Sequence, residues 1–308
     1  MKRFLLILLL LPSLADASTR RHDVDESEHL QLAAQHPAVA MYAWGCTATL
    51  VAPDKAITAA HCVDDDGDGE FDRPVVGEDF LLGDDAEDPT HERTVTRVVT
   101  CPAWDAELRA FDVAVLTLDA PIDDVAPVAI SGRDPLGSMG TVVGFGIAGT
   151  GTDADFWSTE PDGLKRAAQN MIELVDAEFG TEALLADFDS PAGDANTLAT
   201  HYGADSDAEP LALEGVAGPG DSGGPLLVDF GDGPRIVGIT SGGGNPLSQG
   251  GQDELAGRYG SIAEWAHLAR AETSTSCGTR VCSSTGSATR SPATTTTTTL
   301  DRPAARRP

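Results

Sequence analysis

The chain of 308 residues carries 49 acidic against 20 basic residues, a formal charge of −29, with 41% hydrophobic content. That charge repels phosphate backbones and anionic lipid surfaces, so neither nucleic acid nor a membrane is expected as a partner. The length suffices for one large domain or two small fused cores, since single domains run to about 100–200 residues.

The first element reads as a leader. Lys2 and Arg3 precede the apolar run Phe4 to Leu11, then Pro12 and the small-residue site Ala15-Asp16-Ala17. This predicts residues 1–17 as a signal peptide, cleaved after Ala17, and a secreted protein. The apolar run is too short to span a bilayer, and no later stretch reaches the roughly 18–20 residues needed. Residues 18–29 are polar and charged and read as a short propeptide or an N-terminal extension, with Arg20-Arg21 either a processing site or a solvated pair.

From about His36 to Ala269, short β-branched and apolar runs alternate with Gly, Pro and Asp: Ala48–Val51, Val95–Thr100, Val113–Leu118, Thr141–Phe145, Leu226–Phe230 and Ile236–Thr240. Many short strands between turn signals predict an all-β sandwich or barrel. Gly149–Ala217, rich in Asp, Ala and Gly, reads as long surface loops with helical turns around Asp176–Phe188. Ile262, Trp265, Ala266 and Ala269 at helical spacing predict an amphipathic helix over Gly257–Arg270. Residues 271–308 turn to Ser, Thr, Pro and Arg, with unbroken threonine from Thr294 to Thr299, and predict a disordered or O-glycosylated tail.

Five cysteines in an exported chain favour at least one disulfide and leave one thiol odd. Cys46 with Cys62 and Cys277 with Cys282 is one pairing, leaving Cys101. Pairing Cys101 with a tail cysteine is another.

Three segments carry chemistry. A serine attacks a carbonyl only if a base takes its proton and donors stabilise the oxyanion. Ser222 lies in Gly220-Asp221-Ser222-Gly223-Gly224-Pro225, whose glycines let the backbone turn sharply and aim amides at one point. His61 lies in Thr58-Ala59-Ala60-His61-Cys62, and Asp112 precedes the apolar run Val113-Ala114-Val115-Leu116, where a half-buried carboxylate can hold an imidazole tautomer. Gly220 to Gly224 also satisfies the nucleophile elbow of α/β-hydrolases, a fold that needs a helix after the serine and a later histidine. Here Pro225 follows directly, Leu226–Phe230 reads as a strand, and the only later histidine is His267 in the predicted helix. That rival fails.

With these blocks in this order, the sequence resembles the chymotrypsin-like (trypsin-like) serine protease family over about residues 30–270. The resemblance implies two packed six-stranded antiparallel β-barrels, about 30–135 and 136–270, with a C-terminal helix and the site in the cleft between the barrels. It implies a serine endopeptidase acting on protein or peptide substrates as a monomer, with no cofactor required for catalysis. It assigns His61 as general base, Asp112 as its orienting partner, Ser222 as nucleophile, and the amides of Gly220 and Ser222 as oxyanion hole. It pairs Cys46 with Cys62. It places Ser241 beside Asp112, with Gly242 and Gly243 along the substrate, and likens Gly144-Phe145-Gly146 to the opening of the second barrel. It puts Val216 at the base of the primary pocket, where a register slip of two would bring Glu214. With Gly242 and Gly243 lining an open wall, an apolar or medium-sized residue is expected before the scissile bond. Family members free a terminus that pairs with the aspartate before the nucleophile, here Asp221. No Ile-Val-Gly-Gly stretch lies upstream of Cys46, so another terminus, a side chain or an already active form remain as alternatives.

Asp64, Asp66, Asp68 and Asp72 stand at positions one, three, five and nine of a loop with Gly69 at six and Glu70 at seven, the pattern of a calcium loop. Position twelve is Val75 and not a bidentate glutamate, so a solvated acidic loop is the alternative to a structural calcium site. The carboxylates of Gly83–Asp88 are a lesser candidate. Two further readings of the chain differ in class. A silent protease relative that binds a protein would have lost a member of the three, and none is lost. A calcium-dependent adhesive module would bind calcium without cleaving peptide bonds.

Overall fold

Short alternating runs pair into strands throughout the computed structural model, which describes residues 18–43, 45–72, 75–107, 109–150, 161–176, 183–193, 196, 198–244 and 256–261. In chain order the elements are β1 (Ser18–Arg20), α1 (Glu26–Ala33), β2 (Val39–Tyr42), β3 (Cys46–Ala52), β4 (Lys55–Thr58), β5 (Asp79–Leu82), β6 (His91–Thr100) and β7 (Ala114–Leu118). They continue with β8 (Met139–Gly144), β9 (Ala148–Thr150), β10 (Arg166–Met171), β11 (Leu174–Asp176), β12 (Ala183–Asp187), β13 (Gly215–Val216), β14 (Pro225–Asp229), β15 (Pro234–Gly244) and β16 (Ala256–Ser261). The fold is all-β and consistent with the chymotrypsin-like architecture that the resemblance implies.

The first half closes on itself. Strands β2-β3-β4-β7-β6-β5 form a six-stranded barrel in which every neighbouring pair is antiparallel. β7 shows why: Ala114, Leu116 and Leu118 are buried while Val115 and Thr117 between them are half-buried, the period of two that a one-sided sheet requires. Tyr42, Leu50, Phe80, Leu82 and Leu116 fill the interior, each fully buried, and each such apolar side chain contributes about 1.5–3 kcal/mol. The second half is a seven-stranded sheet in the order β10-β8-β14-β15-β16-β12-β11, with Val142, Ile172, Leu184, Leu226 and Val237 in its own cluster.

All six expected strands are present, and others lie where loops or helix were expected. Arg166–Met171 pairs along its length with β8. Ala183–Asp187 is built of good helix formers, yet all five residues are buried between β11 on one side and β16 on the other. Burial between two partners overrides helix propensity. Gly257–Ser261, the start of the expected C-terminal helix, belongs to β16; residues 262–270 of that helix lie outside the described residues, as do the leader and the tail.

The N-terminal segment belongs to the folded domain. β1 lies between β9, parallel, and β13, antiparallel, with Thr19 opposite Gly149 and Val216. Asp25 caps α1 by accepting from Ser27 N at 2.9 Å, and the buried His29 of α1 donates from Nδ1 to Ala167 O of β10 at 2.9 Å. Composition shows a polar extension here because β1 is held by backbone pairing, to which side-chain polarity is nearly irrelevant. Among the described residues no helix is long and apolar enough to cross a membrane.

Candidate active site

The chain leaves β4 at Thr58 and enters a short 3₁₀ turn, Ala60–Cys62, which carries His61. The Cys46–Cys62 disulfide fastens that turn to the first residue of β3; Cys101 is buried outside it, and Cys277 and Cys282 lie outside the described residues. Asp112 follows Phe111, whose φ of 56° is left-handed, a conformation costing about 1–2 kcal/mol for a residue with a side chain. That turn aims the carboxylate inward, where it is 4% exposed.

Asp112 accepts three hydrogen bonds. His61 N donates to Oδ1 at 2.9 Å, and His61 Nδ1 and Ser241 Oγ donate to Oδ2 at 2.7 and 2.5 Å. Burial pushes the Asp112 carboxyl up, but the His61 ring and these bonds outweigh it and hold it below the usual carboxylate range. With Nδ1–H committed to Asp112, the neutral ring presents Nε2 as an acceptor, and Ser222 Oγ stands 2.8 Å from it.

Ser222 sits on the loop between β13 and β14. Asp221 N, Gly223 N and Gly224 N turn inward to Gly218 O, Thr240 O and Asp221 O. Within the described residues no backbone hydrogen bond uses Gly220 N or Ser222 N. Gly223 must be glycine: its φ is +81°, and a Cβ there would lie 2.1 Å from Thr58 Oγ1. Thr47 ties the loop to the barrel, its N donating to Ser222 O at 2.7 Å and its Oγ1 to Gly220 O at 2.9 Å.

Asp221 is 5% exposed and accepts from Gly146 N at 2.8 Å and Gly218 N at 2.9 Å. A Cβ on Gly146 would stand 2.7 Å from that carboxylate, so the Gly144-Phe145-Gly146 segment packs directly on it. Thr19, Gly144, Val216 and Asp221 line one small cavity. Val216 itself is buried against Phe188 and opposite Thr19. Ser241 lies next to Asp112, and beyond it Gly242 and Gly243 continue β15, where a side chain at Gly242 would meet nothing.

In the acidic loop, carboxylate oxygens of Asp64, Asp66 and Asp72 come within 4.8 Å of one another. Asp68 and Glu70 are not in that group. Asp64 is buried, accepting from Gly67 N and Gly69 N at 2.8 and 3.2 Å. In the other candidate loop, Asp84 is taken by the fully buried Lys165 at 2.9 Å.

Two features lay beyond the reach of sequence. Arg109 donates to Ser241 O at 3.2 Å across 132 residues, a pairing no local pattern announces. The second is a cluster of carboxylates, Glu173, Asp187, Asp189 and Glu214. Burial first, then the neighbouring acids, push Glu173 up to about 7 and Asp189 and Glu214 up to about 8. In the unfolded chain such carboxyls titrate near about 4. Between those values the folded state binds more protons than the unfolded one, so stability falls as pH rises through that window. In chelator, the thermal midpoint is expected to drop from about pH 5 to about pH 8, and Asp189→Asn to flatten the drop; an unchanged slope in that variant counts against the cluster.

Among known proteins, the Trypsin family model matches residues 25–172, which include His61 and Asp112. The chain is 27% identical over 205 residues to a protein named Trypsin from Saccharopolyspora erythraea, covering 64% of this chain and 74% of that one.

Proposed function

We propose that this chain, which belongs to the chymotrypsin-like serine protease family, is a secreted endopeptidase that cleaves peptide bonds through His61, Asp112 and Ser222. The family makes it a serine protease in general, with protein or peptide substrates. The single observation that carries the finer reading is the continuous chain of hydrogen bonds, Asp112 to His61 at 2.7 Å and His61 to Ser222 at 2.8 Å.

Ser222 Oγ attacks the scissile carbonyl carbon while His61 Nε2 takes its proton. The carbonyl π electrons move to oxygen, and the amides of Gly220 and Ser222 stabilise that oxyanion. Collapse expels the amine, which takes the proton from Nε2–H, and leaves an ester on Ser222. Water, deprotonated by the same nitrogen, attacks the ester; the Ser222 Oγ–acyl bond breaks, Oγ takes the proton back from Nε2–H, and the acid is released. Asp112 stays ionised throughout, holding the ring's tautomer and stabilising its cationic form. Gly242 leaves the pocket wall open, and Glu214 is turned to Leu211 N at 2.8 Å. Both support an apolar or medium-sized residue before the scissile bond.

Secretion follows from the leader ending at Ala17 and agrees with the Cys46–Cys62 disulfide. Calcium on the loop of Asp64, Asp66 and Asp72 would stiffen the segment that follows His61; three carboxylates in reach of one ion suit a hard cation. A peptide-library digest with purified mature protein, with and without chelator and beside Ser222→Ala, tests the whole reading. Cleavage by the wild type after apolar residues, absent in the variant, is expected. Equal cleavage by both would sink it.

A further inference from the structure

Phe188 and Val216 form a buried pair, and Val216 is the residue that the family resemblance puts at the base of the primary pocket. Asp187 and Asp189 flank Phe188 in the chain, and Glu214 stands two residues before Val216. These three acids are only 0%, 6% and 1% exposed. Glu173, the residue before β11, sets its carboxyl against that of Asp187. Asn170 fastens the two flanks together, its Nδ2 donating to Asp187 O and Gly215 O at 2.5 and 3.2 Å. The floor of the pocket thus rests on a group of carboxyls.

Donors reach only part of that group. Leu198 N serves Asp187 Oδ2 and Leu211 N serves Glu214 Oε2, both at 2.8 Å, while Ser206 Oγ and Asp207 N serve Glu173 at 2.9 and 3.1 Å. Asp187 Oδ1, Asp189 Oδ1 and Glu214 Oε1 are buried with no hydrogen-bond partner, and buried polar atoms of this kind are rare enough that each asks for a cause. The charges around them do not supply one. Arg21, which feels Glu214, is held by Asp23 and Leu211 O, and Asp207 adds negative charge toward Asp189. On the neighbouring strands, β11 carries Asp176 opposite Ala183, and β16 carries Arg258 opposite Leu185.

A carboxylate has no hydrogen to give, whereas a carboxylic acid has one. Two carboxylates held together out of water repel, but a single proton turns the same contact into a hydrogen bond. Burial and the neighbouring acids accordingly raise Glu173, Asp189 and Glu214. We propose that Glu173, Asp187, Asp189 and Glu214 form a proton-held latch beneath the primary pocket, keeping Phe188 and Val216 in place while protons are shared and releasing them when the acids ionise. What the latch controls rests on the protease reading above. Loss of the protons to solvent leaves like charges in a closed space, so the group spreads or draws in water, and the floor loses its support. His61 and Asp112 are carried by the six-stranded barrel, so the effect falls on substrate binding and raises KM.

The test uses the mature chain carrying Ser222→Ala, which cannot digest itself, in chelator. Its infrared spectrum is expected to show protonated-carboxyl absorption at about pH 6 that is gone by about pH 9, since ordinary carboxyls are already ionised at the lower value. That absorption is expected to be weaker once Asp189→Asn, or separately Glu173→Gln, is added. Amide exchange of residues 213–217, corrected for its intrinsic pH dependence, is expected to lose about tenfold protection over the same range, the scale of one pK unit of coupling, and to lose less in either variant. In the chain that keeps Ser222, KM for an apolar peptide is expected to rise about tenfold over that range. Asp189→Asn, shown folded by far-UV circular dichroism, is expected to match the wild type at the acidic end and to hold KM low at the alkaline end. The proposal is overturned if the absorption is absent at the acidic end, or if exchange or KM runs the same course with and without Asp189→Asn. The infrared and exchange readings need no turnover, so a chain that cleaves nothing would sink the protease reading while these two still decide the latch.

Discussion

Ser222→Ala is expected to lower kcat by on the order of 10⁵- to 10⁶-fold while KM and the thermal midpoint stay near wild type. The hydroxyl contributes one hydrogen bond to His61 Nε2 at 2.8 Å, and none of the bonds that hold its loop passes through it. Those bonds run through Thr47 N to Ser222 O and Gly223 N to Thr240 O, so the Gly220 and Ser222 amides stay in place and retain the residual acceleration of the oxyanion site. For the same reason His61→Ala and the double variant Ser222→Ala, His61→Ala are expected to lose about as much as Ser222→Ala alone, because the two side chains act in one step. Turnover of a saturating peptide, with labelling by an organophosphonate as the count of live sites, checks both. Independent, multiplying losses, or a Ser222→Ala protein within tenfold of wild type, would remove Ser222 from the role of nucleophile.

The three blocks that the structure brings together were readable because each is contiguous: the histidine with its cysteine, the aspartate with its strand, the serine with its glycines. The frame around it was not. Thr47 grips Gly220 O across 173 residues, and Arg109 grips Ser241 O across 132; such partners are chosen by the fold and leave no local pattern. The strand period marked β7 and β14 well, since alternation or unbroken apolarity is the cue there. It missed β12, whose Ala-Leu-Leu-Ala core is helical by propensity and strand by burial. It missed β1 for the opposite reason, because Ser-Thr-Arg holds no apolar signal and its pairing is made by backbone groups alone. The loop's glycine at six placed Asp64, Asp66 and Asp72 together but did not bring in Asp68 and Glu70. The buried acids at Asp187, Asp189 and Glu214 had no sequence signal beyond a generally acidic composition.

Removing Ser18–Arg20, so that the mature chain starts at Arg21, is expected to cut kcat/KM by on the order of 10²-fold or more, the scale of losing an oxyanion donor. β1 is the middle strand of the sheet β13-β1-β9, with Thr19 opposite Val216 and Arg20 opposite Gly215. From Val216 the chain runs through Ala217, Gly218 and Pro219 straight into Gly220-Asp221-Ser222. Without β1, the backbone groups of β13 that face Thr19 and Arg20 are exposed and unpaired, which favours other conformations of that short run. The cavity shared by Thr19, Val216 and Asp221 opens on one side, and Asp221 then has water where it had packed chain. Its bonds from Gly146 N and Gly218 N hold the residue between Gly220 and Ser222, so the loss is expected in kcat. The six-stranded barrel lies outside this sheet and retains His61 and Asp112. Thr19→Pro is the milder companion, since proline removes one backbone donor and keeps the strand's length. It is expected to lose less activity than the deletion and to leave far-UV circular dichroism unchanged. The measurement is the second-order rate of organophosphonate labelling at Ser222 beside peptide turnover. Wild-type rates in the truncated chain would show that β13 orders the serine loop without β1, and that the N-terminal segment is only packing.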